Sequence, residues 1–143
     1  MNRLQVVAQT VWIGGLWVIG LLVAPVLFAL LERSAAGTVA GVLFARLAWV
    51  GLVCGAILLI AHLWRDGLSS VREGDLWLVV AMLLCTAVNH FGVTPIIGNL
   101  KQHMSNAAVG IFDGGFATWH AISSLIYLLQ SVLGLVYLLR QAR

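Results

Sequence analysis

Charge is what this sequence has least of. Of 143 residues, eight are Lys or Arg and five are Asp or Glu, together 9% of the chain. The acids Glu32, Asp66, Glu73, Asp75 and Asp113 all fall between apolar runs or at their ends. No carboxylate is placed to serve a proton-coupled pump from within the membrane, and no carboxylate pair is spaced for acid–base catalysis. A Ser-His-Asp order, a zinc-protease helix and a phosphate-binding loop are missing as well, so the chain reads as no enzyme. The basic residues are scattered, which leaves no nucleic-acid footprint. Two cysteines, Cys54 and Cys85, make no disulfide framework. They read as small buried apolar residues, with a thiol pair for a soft metal as the alternative.

What fills the chain instead is hydrocarbon. Hydrophobic residues make up 62%, and the mean hydropathy is +1.03. The apolar residues gather into four runs, at about 6–30, 39–63, 76–97 and 116–139. Each has the roughly 20 residues that a helix needs to cross a bilayer. Backbone polar groups in lipid must be paired internally, so spanning segments are helices or a closed barrel. These runs lack the two-residue alternation of barrel strands and are about twice a barrel strand's length. The expected fold is an all-α integral membrane protein, a four-transmembrane-helix bundle forming one domain over residues 1–143.

The first run is too long for a signal peptide's apolar region and carries Pro25, so it reads as a retained span. With four spans the two tails and the middle connection share one side. That side holds Arg3, Arg65, Arg72, Arg140 and Arg143, against Arg33 and Lys101 opposite, or three with Arg46. The positive-inside rule then expects both termini to be cytoplasmic.

Ser34 or Thr38 is expected to cap the second helix, Asp75 the third and Asp113 the fourth. The connection from Arg65 to Asp75 reads as a solvated polar turn. Trp64 and Trp77 suit an interfacial belt beside it, and Trp49 and Trp119 one at the other face. An internal repeat also shows: Val23-Ala24-Pro25-Val26-Leu27 is echoed seventy residues later by Val93-Thr94-Pro95-Ile96-Ile97. Gly37-x-x-x-Gly41 before Phe44-Ala45 is echoed by Gly110-x-x-x-Gly114 before Phe116-Ala117. Two hairpins of like topology would follow, as in parallel repeats, with Pro25 and Pro95 at equivalent places. Gly51-x-x-x-Gly55 and Gly14-Gly15 offer close helix packing, within the chain or in a homo-oligomer.

Polar residues inside the runs need a reason. Arg46, Asn89, His90 and His120 fall at similar depth on three helices, towards the expected outer side. On the fourth helix His120, Ser124, Tyr127 and Ser131 share one face, with Ser123 and Gln130 beside it. On the third, Thr86 with Asn89 or His90 makes a comparable face. His62 falls at the expected cytoplasmic interface and His103 in the outer loop. Three readings stand. One is a hydrogen-bonded core that fixes helix register, with Arg46 snorkelling outward. A second is a polar pocket near the periplasmic face for a small solute, ion or lipid headgroup, formed by Arg46, Asn89, His90, His120, Ser124 and Tyr127. A third is a haem or copper site with His90 and His120 as ligands.

Trp12-Ile13-Gly14-Gly15-Leu16-Trp17, Ala24-Pro25-Val26-Leu27-Phe28 and Ala40-Gly41-Val42-Leu43-Phe44 resemble the first half of the bacterial family called domain of unknown function 4149, itself similar to eukaryotic transmembrane protein 205. Asn89 with Pro95, and Phe116-Ala117-Thr118-Trp119-His120-Ala121-Ile122-Ser123-Ser124-Leu125, resemble the second half. The resemblance covers nearly the whole chain. It implies a four-span protein of the bacterial inner membrane with no settled activity. The residues themselves read as a small transporter-like or homeostasis protein using the polar pocket. The alternatives are a haem- or copper-binding redox protein, or a structural subunit of a membrane assembly using the glycine faces. Such four-span modules also resemble the copper-resistance D membrane domain and a small haem-binding protoporphyrinogen oxidase of bacteria. The first run here has no histidine, unlike that oxidase, so its haem ligands do not carry over.

Overall fold

Hydrophobic on every side, the chain can satisfy its backbone in lipid only by coiling. The computed structural model describes residues 3–67, 74–106 and 113–142, without the side chains of residues 66, 101–106 and 113–117. All of its regular structure is helical. Helix α1 (Arg3–Trp17) runs through a π-helical segment (Val18–Val23) into α2 (Ala24–Leu30), and α3 (Arg33–Asp66) returns. Helix α4 (Gly74–Ala87) runs through a second π segment (Val88–Val93) into α5 (Thr94–Asn106), and α6 (Asp113–Gln141) returns. Four stretches are long and apolar enough to cross a membrane: Arg3–Leu30, Arg33–Arg65, Gly74–Leu100 and Thr118–Gln141. The protein is a four-helix, multi-pass membrane protein by fold.

The spans close into a ring in which α1 packs on α3, α3 on α4, α4 on α6 and α6 on α1. Large apolar side chains such as Leu21, Leu84 and Leu125 cover the outside. The inside is a tight core of Trp12, Ile13, Leu16, Leu58, Val79, Met82 and Tyr137. Lipid tails are as apolar as leucine, so helices associate here through close contact rather than hydrophobic expulsion. The buried Trp12 indole supplies such a contact. A Cβ on Gly51 would stand 2.5 Å from its Nε1, and one on Gly55 2.9 Å from its Cη2. The Gly51–Gly55 pair is thus filled by the chain's own tryptophan, which removes it as a seam for a partner.

Both π segments occupy the same place in their halves. They begin at Val18 and Val88, end at Val23 and Val93, and each stands two residues before a proline, Pro25 or Pro95. A proline has no N–H to give the carbonyl four residues back. Just ahead of each proline the backbone steps to the wider pattern: Ala24 N–H donates to the Ile19 carbonyl and Thr94 N–H to the Asn89 carbonyl. Such one-turn insertions are uncommon and gather at working sites.

Helix rise sets their depth. From Arg46 to Trp64 is 18 residues, or about 27 Å at the α-helical rise, close to the thickness of a bilayer's hydrocarbon. Equal counts from Arg3, Asp75 and Gln141 reach Leu21, Val93 and Ser123. Both π segments, Arg46 and Ser123 therefore share the boundary opposite the termini. Arg46 is exposed there, three residues before the exposed Trp49. At the termini's boundary Trp64 and Trp77 are exposed as an interfacial pair.

The helix ends depart from expectation at α3. Glu32 holds its N-cap position without a side-chain cap bond. Ser34 and Thr38 lie inside the helix, where the Thr38 hydroxyl bonds back to the Ser34 carbonyl at 2.9 Å. Asp75, expected as the third helix's cap, instead lies inside the first turn of α4, where an acid suits the helix's positive end. Helix α6 starts at Asp113. Gly110, Arg72, Arg143 and the connection at 68–73, expected as a polar turn, lie outside the described residues.

Candidate functional site

One face of α6 carries the polar chemistry of the interior. Ser123, Tyr127, Gln130, Gly134, Tyr137 and Gln141 recur at three- and four-residue steps, the period of a single helical stripe. Their hydrogen-bond partners come from the first and third spans. Ser123 Oγ donates to Asn89 Oδ1 at 2.8 Å, and Asn89 Nδ2 donates to the Ser123 carbonyl at 3.3 Å. The Tyr127 hydroxyl donates to the Leu16 carbonyl, one turn ahead of the first π segment. Gln130 Nε2 donates to Thr86 Oγ1 at 2.9 Å, and Thr86 passes its own proton to the Met82 carbonyl at 3.0 Å. Gln141 Nε2 donates to Asp75 Oδ2 at 2.9 Å, beside an ion pair of the same length between Arg140 Nε and Asp75 Oδ1.

Two neighbouring turns of this stripe hold the two π segments. Tyr127 lies against Gly20 of the first, where any side chain would collide with its ring. Phe44 of α3 meets the same ring edge-on at 5.0 Å. Asn89 of the second is fixed by Ser123, and its carbonyl also accepts the Thr94 hydroxyl at 2.8 Å. The arrangement is a clasp of amide, hydroxyls and phenol at the boundary opposite the termini. Its side chains bond one another and the Leu16 and Ser123 carbonyls, and no carboxylate, amine or imidazole is among them.

The expected pocket residues divide. Asn89 and Tyr127 are half-buried in the clasp. Ser124 is exposed and bonds the His120 carbonyl of its own helix at 2.9 Å. His120 and Arg46 are exposed on the outside of the ring. His90 is half-buried among aromatic rings, 4.8 Å from Phe91 and 5.7 Å from Trp49. No three His, Cys, Asp or Glu side chains gather as a metal cage among the described residues. The polar face of α6 is therefore turned from the one expected: Ser123 and Gln130 are in it, and His120 and Ser124 are out. Cys54 is in the core, Cys85 is half-buried, and both are free thiols. The His103 side chain is outside the described residues.

A second polar group lies at the termini's end, where the sequence places His62 at the interface and singles out none of its neighbours. Gln5, Gln9, His62 and Tyr137 come from three helices and are 6% exposed or less. Ile13 lies against Gly134 and Trp12 against Gly51 and Gly55. This antiparallel register sets Gln5 and Gln9 level with His62 and Tyr137. His62 Nδ1 stands 2.8 Å from the Leu58 carbonyl, which places a proton on that nitrogen, and its ring centre is 6.3 Å from that of Tyr137. Gln9 Oε1 and the Tyr137 hydroxyl have no hydrogen-bond partner among the described residues. The signals available were the four-residue step from Gln5 to Gln9 and the continuation of the α6 stripe to Tyr137.

Comparison with curated proteins and with solved structures gives no match. A family model described as domain of unknown function (DUF4149) matches residues 7–106, more than half of the chain and all of the first three spans' interior, and the protein belongs to that family.

Proposed function

We propose that this protein is a small, non-enzymatic transporter of the bacterial inner membrane, with both termini cytoplasmic, taking a small hydrogen-bonding solute at the clasp of Asn89, Ser123 and Tyr127. The observation that carries this reading is the equivalence of the two π segments, seventy residues apart and each held by a side chain of α6. Gly- or Pro-interrupted spans at matching positions of two halves are where transporters of repeated design bind their substrates. The polar face of α6 continues behind the clasp with the hydrogen-bonded pair Gln130 and Thr86. Arg46, exposed at the same boundary, adds attraction for a partly anionic solute. Five basic residues on the termini's side support the orientation. Likeness to eukaryotic transmembrane protein 205 belongs to the same proposal.

The test is solute flux into proteoliposomes, followed by light scattering after mixing with urea, glycerol or acetate. Wild-type vesicles should re-swell faster than empty ones for at least one solute, and Asn89→Leu with Ser123→Val should return the rate to that of empty vesicles. Rates equal to empty vesicles for all three solutes would overturn the proposal.

A further inference from the structure

At the termini's boundary the outside of the α1–α3 pair is not smooth. A groove of about 450 Å³ opens there, walled by Leu4, Ile57, Ile60 and Ala61. Gln5, 4% exposed, closes its inner side, and Trp64 and Arg65 stand at its mouth. The walls are apolar and the groove faces the bilayer, which is the geometry an acyl chain fits. Hydrocarbon gains little by leaving bulk lipid for a leucine-lined groove. Any selectivity must therefore come from the mouth. The mouth is cationic, with Arg65 on one helix and exposed Arg3 beside Leu4 on the other. The adjoining indole of Trp64, 87% exposed, is the side chain suited to the headgroup level. Asp75, one of the acids of this boundary, is engaged by Arg140 on the α4–α6 side, and Asp66 adjoins Arg65 in the sequence.

We infer that this groove is a binding site for one anionic phospholipid, its acyl chain between α1 and α3 and its phosphate against Arg65 and Arg3. It is separate from the clasp and stands or falls independently of the transport reading.

Native mass spectrometry tests it directly. The protein is released from nanodiscs of equimolar phosphatidylglycerol and phosphatidylcholine with identical chains, and the lipids that stay attached are counted. A basic side chain near the surface favours anionic lipid by about 1 kcal/mol, so with two arginines wild type should retain phosphatidylglycerol about thirtyfold over phosphatidylcholine. Arg65→Gln, a change at an exposed position, should lower the ratio about fivefold, and Arg65→Gln with Arg3→Gln should bring it to parity. Ala61→Trp, which fills the groove, should abolish retention of both. Arg33→Gln, at the other end of α3, should change nothing. The inference is overturned by parity in the wild type, by an Arg33→Gln effect equal to that of Arg65→Gln, or by retention unchanged in Ala61→Trp.

Discussion

Asn89 and Ser123 bond each other twice, side chain to side chain and side chain to backbone. The pair ties the second π segment to α6, so it fixes both a helix register and the position of the only side-chain amide in the clasp. Bonds of this kind between membrane helices couple by about 0.6 kcal/mol on average and up to about 1.7. The double-mutant cycle of Asn89→Ala and Ser123→Ala, measured by unfolding in mixed micelles, should give a coupling of about 1 kcal/mol, within that range. Additivity of the two changes within about 0.3 kcal/mol would mean that the pair is not made in the membrane.

Glycines of similar appearance should respond oppositely to alanine. A methyl on Gly51 meets Trp12 Nε1 at 2.5 Å, and the indole is walled in on every side, so Gly51→Ala should cost about 1–3 kcal/mol by overpacking. Gly41 has open space where its Cβ would stand. There Gly41→Ala should stabilise by about 0.5–1 kcal/mol, because glycine loses the most backbone freedom in a helix. Thermal unfolding of the two variants in one detergent makes the comparison. Trp12→Phe in the Gly51→Ala background should recover part of the loss. Equal effects of the two alanines would show that Trp12 is not seated on α3.

How far the sequence spoke depended on which physical signal was involved. The four spans were legible because hydrocarbon thickness imposes a run length, and the helices cover all four runs. The prolines and their repeat marked the π segments' neighbourhood, because a missing N–H disturbs any helix. Rotation about the helix axis was not legible. On a soluble helix the apolar stripe names the inward face, but here both faces are apolar and lipid rewards neither. The face of α6 was therefore read one residue off, with His120 and Ser124 placed inside in place of Ser123 and Gln130. The sequence sets His62 at the cytoplasmic interface and singles out nothing at Tyr137, and the burial of both was not legible for a related reason. They lie within a turn or so of Arg65 and Arg140, where a polar side chain has the headgroups as its expected partner.

The ion pair at the termini's boundary should matter little to stability. Arg140 Nε and Asp75 Oδ1 are 2.9 Å apart, with the side chains 50% and 25% exposed. Solvent screening and the ordering of a long side chain reduce such pairs to between zero and about 1 kcal/mol. Asp75→Asn should cost less than about 1 kcal/mol, and the difference from wild type should shrink further in 1 M salt, where the screening length is about 3 Å. A larger cost that persists in high salt would assign Asp75 a role beyond its two partners, Arg140 and Gln141.

Tyr137 and Gln130 lie on the same face of α6, two turns apart and similarly buried, and their hydroxyl and amide make opposite demands. Gln130 donates to Thr86. Its replacement by leucine removes a made bond and should cost about 0.5–1.5 kcal/mol. The Tyr137 hydroxyl is buried with no hydrogen-bond partner among the described residues. Leaving such a group unpaired costs about 1–3 kcal/mol, so Tyr137→Phe removes a penalty while keeping the ring that packs on His62. Tyr137→Phe should therefore be at least as stable as wild type, and Gln130→Leu less stable, in the same mixed-micelle titration. A loss of 1 kcal/mol or more in Tyr137→Phe, by the usual worth of a made hydrogen bond of about that size, would mean that the hydroxyl is satisfied by water held inside the bundle. That result would turn Gln9, His62 and Tyr137 from a dry packing layer into a hydrated chamber, and would extend the polar face of α6 from one boundary of the membrane to the other.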